Sequence, residues 1–86
     1  MQVRPRSGLV LRDGVIVPNA PGTVDSDYRG ELKVILANIA GQPVLIRRGD
    51  RIAQLIFARY EIPELIESDT LHSTDRADGG FGSTGR

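Results

Sequence analysis

The chain has 86 residues, eleven cations against eleven acids, and no cysteine. This length allows one domain with a thin core. The balanced charge gives no general grip on nucleic acid, the missing thiols exclude a disulfide framework and a thiolate zinc site, and the apolar runs are too short for a membrane helix. No apolar run follows the charged start Met1-Gln2-Val3-Arg4-Pro5, so no signal peptide is predicted and the expected location is cytoplasmic. Ten of the eleven cations are arginines, the exception being Lys33. Arginine's planar fork suits bidentate contacts with phosphate or carboxylate, and a GC-rich genome would explain the same bias.

Taken in chain order, the elements are β. Met1-Gln2-Val3 reads like the middle of a strand, and Arg4-Pro5-Arg6-Ser7-Gly8-Leu9 like a turn ahead of the next one. Gly14-Val15-Ile16-Val17 is a short β-branched run, Leu32 to Asn38 a stronger one, and Pro43 to Arg47 and Arg51 to Ala58 follow. Turn residues bound each: Pro18 to Gly22, Asp27 to Gly30, Ala40 to Pro43 and Arg48 to Asp50. No segment keeps a helical period, although Pro63 to Glu67 allows one turn with proline at its start. Short strands at regular spacing predict an all-β sandwich or barrel. From about Ser68 the chain turns to Ser, Thr, Asp and Gly, which bury too little surface to offset their ordering entropy. The expected organisation is a core over residues 1–67 and a flexible, glycine-rich arm over 68–86. So small a core would gain from oligomerisation.

Several stretches carry residue types suited to phosphate or proton chemistry. Arg6, Ser7 and Gly8 combine a fork, a hydroxyl and a backbone open to close approach, all useful to a phosphate; the same residues also make an ordinary turn. The segment Asn19 to Glu31 is longer than a tight hairpin needs and holds Val24 and Tyr28, which a solvated loop does not require. An aspartate there suits a general base if the site is partly dry. Gln54 lies among apolar residues, either as a satisfied core amide or as a ligand contact. His72 is the single histidine and is expected in solvent, so no metal ligand set is predicted. The closing Gly79-Gly80-Phe81-Gly82-Ser83-Thr84-Gly85-Arg86 has the makings of a phosphate cradle, with Arg76 or Arg86 as the cation, but lacks the Gly-Lys-Ser/Thr ending of a Walker A loop. By composition alone it is a disordered tail.

The order of these stretches resembles the dUTPase (deoxyuridine triphosphate nucleotidohydrolase) family. Arg6-Ser7-Gly8-Leu9, Gly22 to Glu31, Gly49 to Gln54 and Arg76 to Gly85 are similar to its second, third, fourth and fifth motifs, from about Val3 to the chain end. The resemblance implies a jelly-roll-like β barrel, a homotrimer with active sites at subunit interfaces, and Mg²⁺-assisted hydrolysis of dUTP to dUMP and pyrophosphate. Carried over by position, Asp25 would activate the attacking water on the α-phosphate. Tyr28 would pack on the deoxyribose, and Asn19, Gly22, Thr23 and Lys33 would read uracil. Arg6, Ser7, Gly8 and Gln54 would hold phosphates. The arm would close over nucleotide at another subunit, with Phe81 on the base and Arg76, Gly82, Ser83 and Thr84 on the phosphates, and should order only then. The protein would hold Mg²⁺ mainly through substrate phosphates, with no cage of its own. The first motif and the N-terminal strands have no counterpart in the sequence. The chain therefore reads as an incomplete barrel: a fragment, a partner of a separate N-terminal segment, or a short relative. A non-catalytic nucleotide-binding or assembly module is the alternative, and a relative of the dCTP deaminases, which share the barrel, a further one.

Overall fold

The computed structural model describes residues 1–85. Its elements are β1 (Gln2–Arg4), α1 (Ser7–Asp13), β2 (Val15–Ile16), β3 (Gly22–Thr23), β4 (Ala37–Asn38) and β5 (Gln54–Ile56). They form two antiparallel sheets. In the first, β1 is central, flanked by β3 (Gln2 opposite Thr23) and by β5 (Gln2 opposite Ile56, Arg4 opposite Gln54). Beyond β3 the pairing runs on, since Val24 N–H donates to Met1 O at 2.8 Å. The second sheet joins β2 to β4, with Val15 opposite Asn38.

The helix corrects the sequence reading. Ser7–Asp13 is not a turn leading to a strand but seven residues of α-helix. Leu9 and Val10 N–H both donate to Arg6 O at 3.1 Å, without a side-chain cap from Arg6. Gly14 stops it in the left-handed region (φ 63°), its N–H returning to Val10 O at 3.0 Å. A methyl group on Gly14 would sit 2.5 Å from Ala40 Cβ, so the glycine serves both the turn and the close pass of the chain after β4. Conversely, Pro63 to Glu67 forms no helical turn, Pro43 to Arg47 joins no ladder, and of the run Leu32 to Asn38 only Ala37 and Asn38 pair. These runs have strand composition, but pairing makes a strand, and among the described residues no neighbouring edge meets the unpaired ones.

Among the described residues only Val3, Val15 and Val17 form the buried hydrophobic core, each worth roughly 1.5–3 kcal/mol of burial. Ile35, Leu45, Phe57, Ile62, Leu65 and Ile66 stay exposed. The Cα radius of gyration is 19.0 Å, against about 12 Å for a compact domain of this length. The strands thus make open antiparallel sheets rather than a closed barrel, with edges and apolar side chains presented outward. No helix among the described residues is long and apolar enough to cross a membrane.

Candidate functional site

Two separate recesses gather most of the candidate residues of the core. The first follows β3. Thr23 ends the strand, and the chain then turns tightly, with Tyr28 N–H donating to Asp25 O at 3.1 Å. This turn and the return segment enclose about 200 Å³ lined by Thr23, Asp25, Tyr28, Glu31, Leu32 and Lys33. Arg29 braces the turn by donating to Ser26 O at 2.9 Å and Tyr28 O at 3.0 Å.

Tyr28 is fixed at both ends. Its hydroxyl donates to Glu31 O at 2.7 Å, and its ring lies so close over Gly30 that a Cβ there would stand 2.7 Å from the ring Cζ. Gly30 is therefore part of the ring's seat, a role invisible in the sequence because it depends on how the turn closes. Half of the Tyr28 surface remains open. The Asp25 carboxylate is exposed, so the partly dry setting expected for a general base is not supplied by this chain's own fold. Lys33 reaches Glu31 at 4.0 Å, but both side chains are at least three-quarters exposed, and such a pair contributes little.

Asn19 and Gly22 meet each other rather than the lining of this recess. Gly22 is buried in β3 against Val3, and the Asn19 amide lies 2.9 Å from where its Cβ would be. Asn19 itself is exposed in the turn closed by Ala20 N–H donating to Val17 O.

The second recess, about 240 Å³, lies where α1 begins and β5 passes β1. Arg6, Ser7, Gly8 and Gln54, the residues that the resemblance assigns to phosphates, line it together, along with Arg12 and Arg51, which sequence reasoning did not single out. Gln54 is not a buried core amide. It is exposed, and its Nε2 donates to Pro5 O at 2.9 Å, tying β5 to the start of the Arg6 segment. The two recesses share no residue. Thr23 pairs with Gln2 and Gln54 with Arg4, so their Cα atoms are roughly 12 Å apart at standard strand spacings.

The arm is not featureless. Arg76 Nε donates to Gly79 O at 2.6 Å, Ala77 N–H reaches Thr74 Oγ1 at 3.1 Å, and Ser83 N–H donates to Gly80 O at 3.0 Å. Successive small turns therefore form within the chain itself, closed by Ala77 N–H to Thr74 O, Gly79 N–H to Arg76 O, Ser83 N–H to Gly80 O and Gly85 N–H to Gly82 O, although the segment is expected from the sequence to order only on closing over nucleotide. Gly82 (φ 90°) lies where an L side chain is strained, whereas Phe81 tolerates φ 51°. Phe81 is fully exposed, and Arg76, Ser83, Thr84 and His72 are exposed as well. Arg86, the other candidate cation, lies outside the described residues. No group of three or more His, Cys, Asp or Glu side chains converges among the described residues.

Comparison with known proteins gives these clusters a family context. The chain is 57% identical over 86 residues to a deoxyuridine 5'-triphosphate nucleotidohydrolase of Wolinella succinogenes, covering all of the chain and 58% of that protein. It is 55% identical over 84 residues to the same-named protein of Hydrogenobaculum sp. and 56% identical over 84 residues to that of Rickettsia canadensis, with 98% of the chain covered and 58% and 57% of those proteins respectively. It thus spans little more than half the length of these curated relatives. The dUTPase family model matches residues 2–85. The chain belongs to the dUTPase family, whose fold is a β jelly-roll.

Proposed function

We propose that the assembled protein hydrolyses dUTP to dUMP and pyrophosphate. The observation that carries this reading is the sorting of side chains between the two recesses. Asp25, Tyr28, Thr23 and Lys33 line one, and Arg6, Ser7, Gly8 and Gln54 the other. A ring, a carboxylate and backbone groups suit a deoxynucleoside and an attacking water. Guanidinium, hydroxyl, open backbone and amide suit phosphates.

In this mechanism Asp25 accepts a proton from the water that attacks the α-phosphorus. Tyr28 packs against the deoxyribose and leaves no space for a 2′-hydroxyl. Asn19, Gly22, Thr23 and Lys33 read the uracil edge, where a mismatched base would leave polar groups unpaired. Arg6, Ser7, Gly8 and Gln54 orient the phosphate chain, and alignment with charge neutralisation supplies most of what phosphoryl transfer requires. A Mg²⁺ ion, held mainly through the substrate's phosphates, would offset their charge.

The assembly is a homotrimer in this reading. Its support is the pairing of exposed apolar side chains with an incomplete site: Phe57, Leu65 and Ile66 lack cover, Asp25 lacks a dry wall, and neither recess holds the other's residues. Residues 68–86 act as an exchanged arm that brings Phe81 onto the base and Arg76, Gly82, Ser83 and Thr84 onto the phosphates of a neighbouring subunit. A separate N-terminal segment would cover the open sheet edges, and a cytoplasmic location fits a nucleotide substrate. The exposed setting of Asp25 favours one competing reading, a module that binds nucleotide without turnover. The family match weighs against the deaminase alternative.

Pyrophosphate release from dUTP, UTP and dCTP, measured beside calorimetry with a non-hydrolysable dUTP analogue, separates these readings. Hydrolysis confined to dUTP supports the proposal. Tight analogue binding without turnover favours the binding module, and ammonia release from dCTP would favour the deaminase.

A further inference from the structure

The segment from Asp25 to Glu31 is held by its own hydrogen bonds. Tyr28 N–H donates to Asp25 O at 3.1 Å, which makes Asp25 and Tyr28 the two ends of one tight turn around Ser26 and Asp27. The carboxylate and the ring of the first recess therefore ride on a single turn, and any twist of that turn moves one against the other. The closing bond leaves the Ser26 carbonyl without a backbone partner among the described residues.

Arg29 supplies that partner. Its Nη1 donates to Ser26 O at 2.9 Å and to Tyr28 O at 3.0 Å, so one nitrogen ties the carbonyls on either side of Asp27. A guanidinium nitrogen carries its N–H groups at fixed angles in a plane, whereas the ammonium of lysine keeps the charge on donors that turn freely. Although Asp25, Asp27 and Glu31 all lie close in the chain, Arg29 forms no ion pair with them, the single pair among the described residues being Lys33 with Glu31. Its guanidinium thus acts on the backbone and not on a carboxylate. Arg29 also lines none of the three recesses to which Asp25 contributes, so it is not placed to touch nucleotide.

We propose that Arg29 is a positioning residue that couples the two tasks of this turn: by tying Ser26 O to Tyr28 O it holds the Asp25 carboxylate and the Tyr28 ring in one arrangement, so that water activation and exclusion of a 2′-hydroxyl are gained or lost together. This rests on the roles given to Asp25 and Tyr28 above. Arg29 meets no charge on the nucleotide and passes no proton. Without the tie the turn keeps only the bond from Tyr28 N–H to Asp25 O, and a shift of about 1 Å in a positioned group can cost on the order of a hundredfold in rate.

The test compares Arg29→Ala and Arg29→Lys with the parent and with Asp25→Asn, each as the full chain in the assembly it forms. Hydrogen exchange at the Tyr28 amide reads the turn without any need of turnover. The kinetic readouts are kcat, KM and the ratio of kcat/KM for dUTP over UTP. Arg29 is exposed, so its variants should melt with the parent. Arg29→Ala is expected to quicken exchange at Tyr28, to lower kcat by roughly tenfold to a hundredfold with KM barely moved, and to lower the dUTP-to-UTP ratio alongside. Free guanidinium, well below denaturing concentration, should restore part of that turnover and leave the parent unchanged, while Arg29→Lys should stay well below the parent. Parent-like exchange, kcat or selectivity in Arg29→Ala would overturn the positioning role and leave Asp25 and Tyr28 in theirs. Full activity in Arg29→Lys would overturn it too, since charge and not the carbonyl tie would then be what matters. If Asp25→Asn turns over as fast as the parent, the base role itself fails, and this inference with it.

Discussion

Gly30→Ala is the substitution that most cleanly separates the position of the Tyr28 ring from the stability of the chain. Gly30 is exposed and has no positive φ, so alanine brings no backbone strain and should change stability by no more than about 0.5 kcal/mol. Its methyl group, however, would stand 2.7 Å from Tyr28 Cζ and 3.0 Å from Cε2. Carbon atoms settle at about 3.5–4.0 Å, so the ring must retreat by roughly 1 Å. That retreat breaks the hydroxyl's bond to Glu31 O, but the bond is solvent-exposed, so water takes up both groups and the loss stays at about 0.5 kcal/mol, the low end for a hydrogen bond. Misplacing a positioning group by about 1 Å can cost on the order of a hundredfold in rate. The expected outcome is an unchanged melting temperature with selectivity for dUTP over UTP, taken as the ratio of kcat/KM values, falling by about tenfold to a hundredfold. Tyr28→Phe keeps the ring and removes only the tether, so it should lose a smaller part. If Gly30→Ala discriminates against UTP as well as the parent does, Tyr28 is not what senses the 2′ position.

The other predictions concern the scaffold and the arm. Gly14→Ala should destabilise the fold by about 2 kcal/mol or more, since an L residue in the left-handed region costs roughly 1–2 kcal/mol and the new methyl meets Ala40. A chemical-denaturation midpoint equal to the parent's would show that α1 does not end there. Phe81→Ala should leave the melting temperature unchanged, because the ring is fully exposed, yet lower kcat/KM for dUTP about tenfold. Unchanged turnover would remove Phe81 from the site.

The sequence made the chemistry easier to read than the fold. The phosphate-type residues Arg6, Ser7 and Gly8 and the turn Asp25 to Tyr28 are local clusters, and local clusters survive in one dimension. The pairing of β1 with β5 does not, because Gln2 meets Ile56 through contacts between distant parts of the chain. Helix α1 was obscured by Gly8 and Val10, which are poor helix formers, while the informative signal was Gly14 as a stop. Runs such as Pro43 to Arg47 have the composition of strands without a partner edge to pair with. Arg12 escaped notice because only the helix turns it back onto Gly8, and Gln54 stayed open between a core amide and a ligand contact until the strand pairing placed it on the exposed side of β5.

The central claim is that Asp25 activates water for attack on a dUTP phosphate, and single-turnover pyrophosphate release by the parent and Asp25→Asn at saturating dUTP tests it directly. The account predicts turnover in the parent, a loss of about 10²–10⁴-fold in the variant, and analogue affinity that barely moves, as expected for removal of a general base. A variant that turns over as fast as the parent, or a parent that binds dUTP and never releases pyrophosphate, would contradict it.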